Sequence, residues 1–241
     1  MTHTYPDPQH SDWKTLYRLG GVAPLLTIVF YLSEFLLISW DKFPASTEAW
    51  YALFQSNRLL GLFYLNALDI ISIALLGVMF LAIYRAIHRL NPSWMSVAAF
   101  FGLLGVGVFI VPRVAMLSML TLSDQYAAAA SQAQRASLLA AGDALGSLGT
   151  ATPQTVGFLF MAVAVLIISI VMLRGPVFGK INAWAGMLAS ALTIVDHLSL
   201  YLAPALAMPL MVSSGIFWLG WWSLTGLGLL RLARLEPRPL S

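Results

Sequence analysis

Cysteine is absent from the sequence, so disulfide bonds, thiolate metal sites, thioether-linked haem and a cysteine nucleophile are excluded. Charged residues are also scarce. They make up 10% of the 241 residues, whereas a soluble domain usually carries about 25%. Hydrophobic residues make up 59% of the chain. This composition indicates a protein whose main surroundings are the lipid bilayer.

Histidine and lysine are nearly missing from the hydrophobic segments, which narrows the possible chemistry. His197 is the one histidine within such a segment, so bis-histidine haem is excluded and a zinc site with several histidines fits poorly. No lysine lies there, which excludes a retinal Schiff base. Val212–Gly215 has the wrong first residue for an intramembrane serine protease, and no run matches a nucleotide-binding loop. We expect no cofactor and no nucleic-acid partner, and we favour a role other than catalysis.

Six segments are long enough to cross a bilayer, which requires about 20 mostly apolar residues. Their apolar residues are continuous rather than alternating, so they predict helices and not strands. The predicted fold is an all-α, polytopic bundle of six transmembrane helices. The segments are approximately Gly21–Trp40, Leu59–Ile83, Val97–Leu120, Val156–Leu173, Ala183–Leu202 and Leu210–Leu230.

The whole chain, 1–241, is predicted to be a single membrane domain. Residues 1–20 form a polar tail with an amphipathic interfacial helix near 12–19, 21–230 form the bundle, and 231–241 form a second tail. The longest connection, 121–153, is rich in alanine and begins with cap-like polar residues, which predicts an extra helix outside the membrane. This helix could be a solvated linker or a lid over a cavity.

Lysine and arginine lie mostly on one side of the predicted bundle. Nine of them flank the spans on the side that holds both chain ends, and three lie on the other side. Because the richer side faces the cytoplasm in most membrane proteins, both termini are predicted to be cytoplasmic.

Ionisable residues interrupt four of the six predicted spans. A charge near the bilayer centre costs at least about 2.5–3.5 kcal/mol, so such residues usually face a packed interior or a cavity. At 1.5 Å rise per residue, four of the five lie roughly 9–15 Å inside the outer ends of their predicted helices. Tyr31 and Asn66 extend the polar faces at helical spacing. The predicted ligand- or ion-binding residues are Tyr31, Glu34, Asn66, Asp69, Arg113, Asp196 and His197.

The charges of this predicted group do not balance. Three carboxylates and one arginine leave two negative charges uncompensated if all are ionised and His197 is neutral. Such an excess is untenable in a low-dielectric interior. Carboxylates must hold protons, His197 must be charged, or a cation must bind. The candidate ligands are therefore a small molecule, a proton or a cation.

Three interpretations of the polar group remain open. It could be a binding pocket of a transporter-like or ligand-sensing protein. It could instead be a buried network that only fixes helix packing, centred on Arg113. A third interpretation, a metal-assisted membrane hydrolase, requires His197 and at least two carboxylates to converge on one ion.

Three stretches resemble a known family: LDIISIALLGVMFLAIYRAI at 68–87, QRASLLAAGDAL at 134–145 and VMLRGPVFGKINAWAGML at 171–188. On the basis of these stretches, about residues 15–235 of the chain resemble a large group of uncharacterised bacterial six-helix membrane proteins, classed as a domain of unknown function. The resemblance implies location in the bacterial cytoplasmic (inner) membrane. It implies no mechanism and no catalytic residue.

Overall fold

A computed structural model describes residues 13–37, 43–150 and 152–234. These residues contain ten α-helices and no strand. Six of the helices, α1, α4, α5, α8, α9 and α10, are long and apolar enough to cross a membrane, which confirms the predicted all-α fold with six spans. The helices are α1 (Lys14–Leu37), α2 (Thr47–Ser56), α3 (Arg58–Tyr64), α4 (Leu68–Ile87), α5 (Pro92–Met116), α6 (Ser118–Ala127), α7 (Gln132–Thr150), α8 (Thr152–Met172), α9 (Gly179–Leu202) and α10 (Ala207–Arg234).

The six long helices pack in chain order into a closed ring. Each packs on the next one along the chain, and α10 returns to pack on α1. Close approach depends on glycine at two of these interfaces. A Cβ on Gly21 of α1 would lie 2.9 Å from the Gly226 carbonyl oxygen of α10. A Cβ on Gly105 of α5 would lie 2.8 Å from the Gly157 carbonyl oxygen of α8. Small residues at such positions let the helix backbones pack closely.

The basic end of the bundle comprises the starts of α1, α5 and α9 and the ends of α4, α8 and α10. At this end the Arg85 guanidinium lies 4.8 Å from the centroid of the Trp13 ring. The turn at Gly175 contacts Leu90 at the end of α4. Both ends of the described chain therefore lie at the same end of the ring. The opposite end of the bundle is called the far end below.

The four remaining helices, α2, α3, α6 and α7, form a cap at the far end. It has its own apolar core, which includes Tyr51, Phe54 and Met119. The Tyr51 hydroxyl donates to the Leu138 carbonyl of α7 at 2.8 Å, and the Ser123 hydroxyl donates to the Tyr51 carbonyl at 3.0 Å. Burial raises the pKa of Tyr51, which keeps this hydroxyl a donor. The Ala-rich stretch that predicted an extra helix forms α7.

Several predicted boundaries differ from the structure. Helix α1 runs without a break from Lys14, so Lys14–Leu19 are its first turns and not a separate interfacial segment. The predicted end of the first span, Trp40, lies outside the described residues, as do most of the two tails. The third predicted span ends at Met116, where the chain turns before α6 begins.

The second predicted span, Leu59–Ile83, is not one helix. Helix α3 ends at Tyr64 and α4 begins at Leu68. Asn66 between them has a φ of +54°, the left-handed conformation that Asn and Gly tolerate best. The Ala67 N–H donates to the Leu62 carbonyl and the Asn66 N–H to the Phe63 carbonyl, which together form a Schellman motif. This motif ends α3 and lets α4 start inside the bundle.

Candidate functional site

The structure separates the predicted site residues into two groups. Tyr31 and Glu34 of α1, Asp69 of α4 and Arg113 of α5 form the first, called the acid–arginine group below. Asp196 and His197 of α9 form the second, called the Asp–His pair. Asn66 lies in the wall of a cavity beside the first group. The single convergent cluster that the shared depth predicted is therefore not observed.

The acid–arginine group is held together by direct contacts. The Arg113 Nη2 atom lies 3.3 Å from Asp69 Oδ2, and these side chains are only 9% and 6% exposed. The Tyr31 hydroxyl lies beside the Asp69 carboxylate. Glu34 is 5% exposed and lies beside Asp69 and the start of α4.

The start of α4 explains why two carboxylates lie here. The first N–H groups of a helix have no partner within it, and the helix dipole favours negative charge at this end. The N-cap residue, Ala67, has no side-chain oxygen to accept from these groups. Glu34 of α1 places its carboxylate beside this helix start, and Asp69 lies in the first turn of α4.

Two oxygen atoms of this group are buried without a hydrogen-bond partner in the described part of the chain, Glu34 Oε1 and Asp69 Oδ1. Glu34, Asp69 and Arg113 would together carry one excess negative charge if all three were ionised. A buried uncompensated charge is strongly unfavourable. Among the described residues, the group therefore lacks one positive charge.

A cavity of about 570 Å³ opens beside Arg113 at the far end. Its volume lies within the range of about 300–1,000 Å³ that is usual for small-molecule sites. Helices α2, α3, α5, α6 and α7 and their connections form its walls. Its lining residues are Phe43, Pro44, Ala45, Ser46, Thr47, Trp50, Tyr64, Leu65, Asn66, Arg113, Met116, Met119, Asp143 and Gly146.

Arg113 belongs both to this far-end cavity and to the acid–arginine group. Across the cavity, the Thr47 hydroxyl donates to the Asp143 carboxylate and so ties α2 to α7. Sequence analysis did not identify Thr47, Trp50 or Asp143. Asp143 could have been noticed, because it is the only charged residue in the stretch from 136 to 150.

The Asp–His pair is local to α9. The His197 Nδ1 atom lies 3.5 Å from Asp196 Oδ2 and 2.8 Å from the Thr193 carbonyl oxygen. Trp218 of α10 donates from Nε1 to the Thr193 hydroxyl at 2.8 Å. These contacts join α9 to α10 away from the cavity wall.

Two phenylalanines lie between the two groups. The Arg113 guanidinium carbon is 5.4 Å from the centroid of the Phe109 ring. Phe109 packs edge-on against Phe158 with centroids 5.0 Å apart, and Phe158 lies 5.9 Å from the His197 ring. This path between the groups consists of ring contacts and not of hydrogen bonds.

The metal-hydrolase interpretation does not fit this arrangement. It requires His197 and two carboxylates around one ion, but Glu34 and Asp69 lie with Arg113 while His197 lies with Asp196. The described ranges contain no group of three His, Asp or Glu side chains that could hold a metal ion.

The predicted depth of the site also requires correction. The sequence predicts Asp69 about ten residues inside a continuous helix, but it is the second residue of α4. Arg113 lies three residues before the end of α5. Asp69 and Arg113 therefore lie within about 5 Å of a helix end along its axis. The breaks at Asn66 and Leu117 shorten the helices that the hydrophobic pattern had merged.

The fold and this site define a polytopic α-helical membrane protein with a polar group under a far-end cavity. The chain belongs to the DUF4386 family, described as a domain of unknown function, whose model matches residues 19–229. This confirms the family resemblance seen in the sequence. Comparison with curated proteins and with solved structures finds no significant match.

Proposed function

We propose that this protein is a transporter-like or ligand-sensing protein of the bacterial inner membrane that binds a small solute in the far-end cavity. The observation that carries this proposal is that Arg113 belongs both to the cavity lining and to the acid–arginine group. Arg113 lines the cavity, and its guanidinium is paired with Asp69 of the buried group. Occupation of the cavity would therefore act directly on the charge balance of that group.

The cavity walls offer both apolar and polar contacts to a solute. Aromatic rings of Trp50 and Tyr64 and the side chains of two methionines give apolar surface. Arg113 presents the planar donor fork that suits carboxylate and phosphate groups. Such a mixture, apolar walls with a few oriented polar groups, is typical of small-molecule sites.

Orientation supports access from outside the cell. The excess of lysine and arginine at the basic end favours a cytoplasmic position for this end. The far-end cavity then faces the outer side of the membrane. Helix α7 contributes Asp143 and Gly146 to its lining and acts as a lid.

Thermal unfolding of the detergent-purified protein tests this proposal against a panel of small carboxylates, amines and neutral solutes. A solute at about 100 times its dissociation constant adds roughly 2.7 kcal/mol to the free energy of unfolding. We expect at least one panel member to stabilise the wild type. Trp50→Ala, which removes part of the cavity wall, should lose this effect.

Two variants serve as matched controls for this experiment. Trp184→Ala removes a tryptophan that is 57% exposed on α9 and does not line the cavity. Asp196→Asn changes the Asp–His pair. Both should keep the stabilisation by solute. The proposal fails if no solute stabilises the wild type, or if Trp184→Ala and Trp50→Ala respond alike.

A structural role for the acid–arginine group is the second candidate function. It is favoured by the burial of the Asp69–Arg113 pair and by the contact of Glu34 with the start of α4. In this alternative the group fixes α1, α4 and α5 together, and the stability of the protein is independent of every solute in the panel.

A further inference from the structure

We propose that the far-end cavity takes a small organic carboxylate and that the Glu34–Asp69 pair takes up one proton with each anion bound. The inference deepens the proposed function of the same cavity. Its first step concerns the empty protein, however, and is tested without any ligand.

In the empty protein, one bound proton balances the charges of the described residues of the group. With Asp69 ionised against Arg113, a neutral Glu34 brings the net charge of the acid–arginine group to zero. Glu34 Oε1 and Asp69 Oδ1 are buried acceptors without a donor in the described residues. A proton on this pair supplies both the missing positive charge and a missing donor.

A proton fits this pair better than a metal ion does. Sodium or a divalent cation needs about six oxygen ligands, and the described residues contain no group of three acidic or histidine side chains around one point. One of the available oxygens, Asp69 Oδ2, already contacts the Arg113 cation. A cation added here would meet that like charge.

An anion that enters the cavity changes this balance. Its carboxylate contacts Arg113 and so competes with Asp69 for the same guanidinium. The Arg113 guanidinium is then shared between Asp69 and the anion. Its positive charge no longer balances Asp69 alone, so Asp69 binds a proton. With Glu34 and Asp69 both neutral, the anion and Arg113 again sum to zero. The stoichiometry is one proton for each anion.

The other described groups around the site do not alter this count. Helix α1 presents Tyr31 beside Asp69, and α10 presents the Trp222 ring, stacked on Tyr31 at 5.7 Å. Tyr64 and Asn66 line the cavity as neutral groups. Asp143 also lines it, but this residue is exposed and bonded to Thr47, so water screens its charge.

Infrared spectroscopy of the detergent-purified, ligand-free protein at neutral pH tests the first step. We expect the C=O stretch of a protonated carboxylic acid in the wild type. Glu34→Gln and Asp69→Asn should each lose this band, because one carboxylate then balances Arg113 without a proton. Glu48→Gln, a change at an exposed residue of α2, should keep it. A wild type without the band overturns the inference.

Calorimetry with benzoate tests the second step, with benzamide as the matched neutral probe. Benzoate binding should take up one proton per molecule, measured from the heat in buffers of different ionisation enthalpy. Its dissociation constant should rise about tenfold per pH unit above the titration of the pair. Benzamide should bind without proton uptake.

Variants separate the two protons. Glu34→Gln and Asp69→Asn each retain one carboxyl group and should still take up one proton with benzoate. The double variant should bind benzoate without proton uptake. If the double variant does not fold, the single variants still test the proposal, because each is expected to take up one proton.

The possible failures are distinguishable. Stabilisation by panel solutes without proton uptake leaves the proposed function standing and overturns the coupling. Sodium that replaces the proton in supporting benzoate binding overturns it as well. Binding of amines or neutral solutes in the cavity, with no binding of benzoate or any other carboxylate of the panel, overturns the assignment to carboxylates. Absence of binding by every solute overturns the proposed function itself.

Discussion

At the scale of single residues, Arg113 is the side chain on which most of the site depends. It pairs with Asp69, lies over the Phe109 ring and lines the far-end cavity. A guanidinium has five donors in a fixed plane, so it can serve a carboxylate on one side and a second group on another. No lysine could make these contacts with the same geometry.

Loss of this guanidinium should strongly destabilise the fold. Removal of one partner of a buried ion pair costs about 3–5 kcal/mol, because the other charge is left unpaired. We therefore expect Arg113→Ala to lower the free energy of unfolding by this amount at neutral pH, measured in detergent. The loss should shrink as the pH falls, because protonated carboxyl groups need no counterion.

Arg58→Ala is the matched control for this change. Arg58 pairs with Asp124 on the surface, where the side chains are 61% and 49% exposed. Exposed pairs contribute little, since water already solvates both charges. Equal destabilisation by the two variants would show that the Asp69–Arg113 pair is not buried as described.

At the scale of elements, the junction between α3 and α4 creates the site. The left-handed Asn66 ends α3 and places the start of α4 against α1. Glu34 and Asp69 converge there because a helix start favours carboxylates. The same junction contributes Asn66 to the cavity wall.

The contact between α2 and α7 should be sensitive to a single methyl group. A Cβ on Gly142 would lie 2.3 Å from the Tyr51 hydroxyl and 2.4 Å from Thr47 Cγ2. We expect Gly142→Ala to loosen α7 from α2 and to increase hydrogen exchange in α7 while the six-helix ring stays protected. The Tyr51 and Thr47 side chains both sit under this contact, so neither can simply move away.

Gly146→Ala is the control, because a Cβ there meets no atom of the described residues within 4 Å. Alanine also favours the helix over glycine by about 1 kcal/mol. This variant should keep or increase the protection of α7. Loss of protection in both variants would show that helix propensity, and not the contact with α2, holds α7 in place.

At the scale of the whole molecule, the ring and its orientation define which side of the membrane the cavity faces. The chain contains no cysteine, so single cysteines can be labelled without background. Ser131→Cys, between α6 and α7, should react with a membrane-impermeant maleimide added to intact spheroplasts. Ser93→Cys, at the basic end, should react only after lysis. The reverse pattern would place the cavity on the cytoplasmic side.

The sequence predicts the fold well and the site only partly. Hydrophobic length identifies all six spans, because a bilayer sets a minimum length for each. It does not detect the Schellman motif at Asn66, since the apolar residues continue through it. The ionisable residues can be identified from the sequence, because placing a charged side chain in the bilayer is energetically unfavourable. Their division into two groups depends on how each helix is rotated in the ring, which hydrophobicity does not encode.

The closed ring predicts that the bundle can assemble from two fragments of the chain. Each long helix contacts two neighbours, so a cut between α6 and α7 leaves α5 facing α8 and α10 facing α1. The two pieces would each contain three long helices and would share two glycine-mediated seams. This arrangement predicts fragment complementation. The two halves, produced as separate chains in one membrane, should associate through these two interfaces. The cavity should form only when both halves are present.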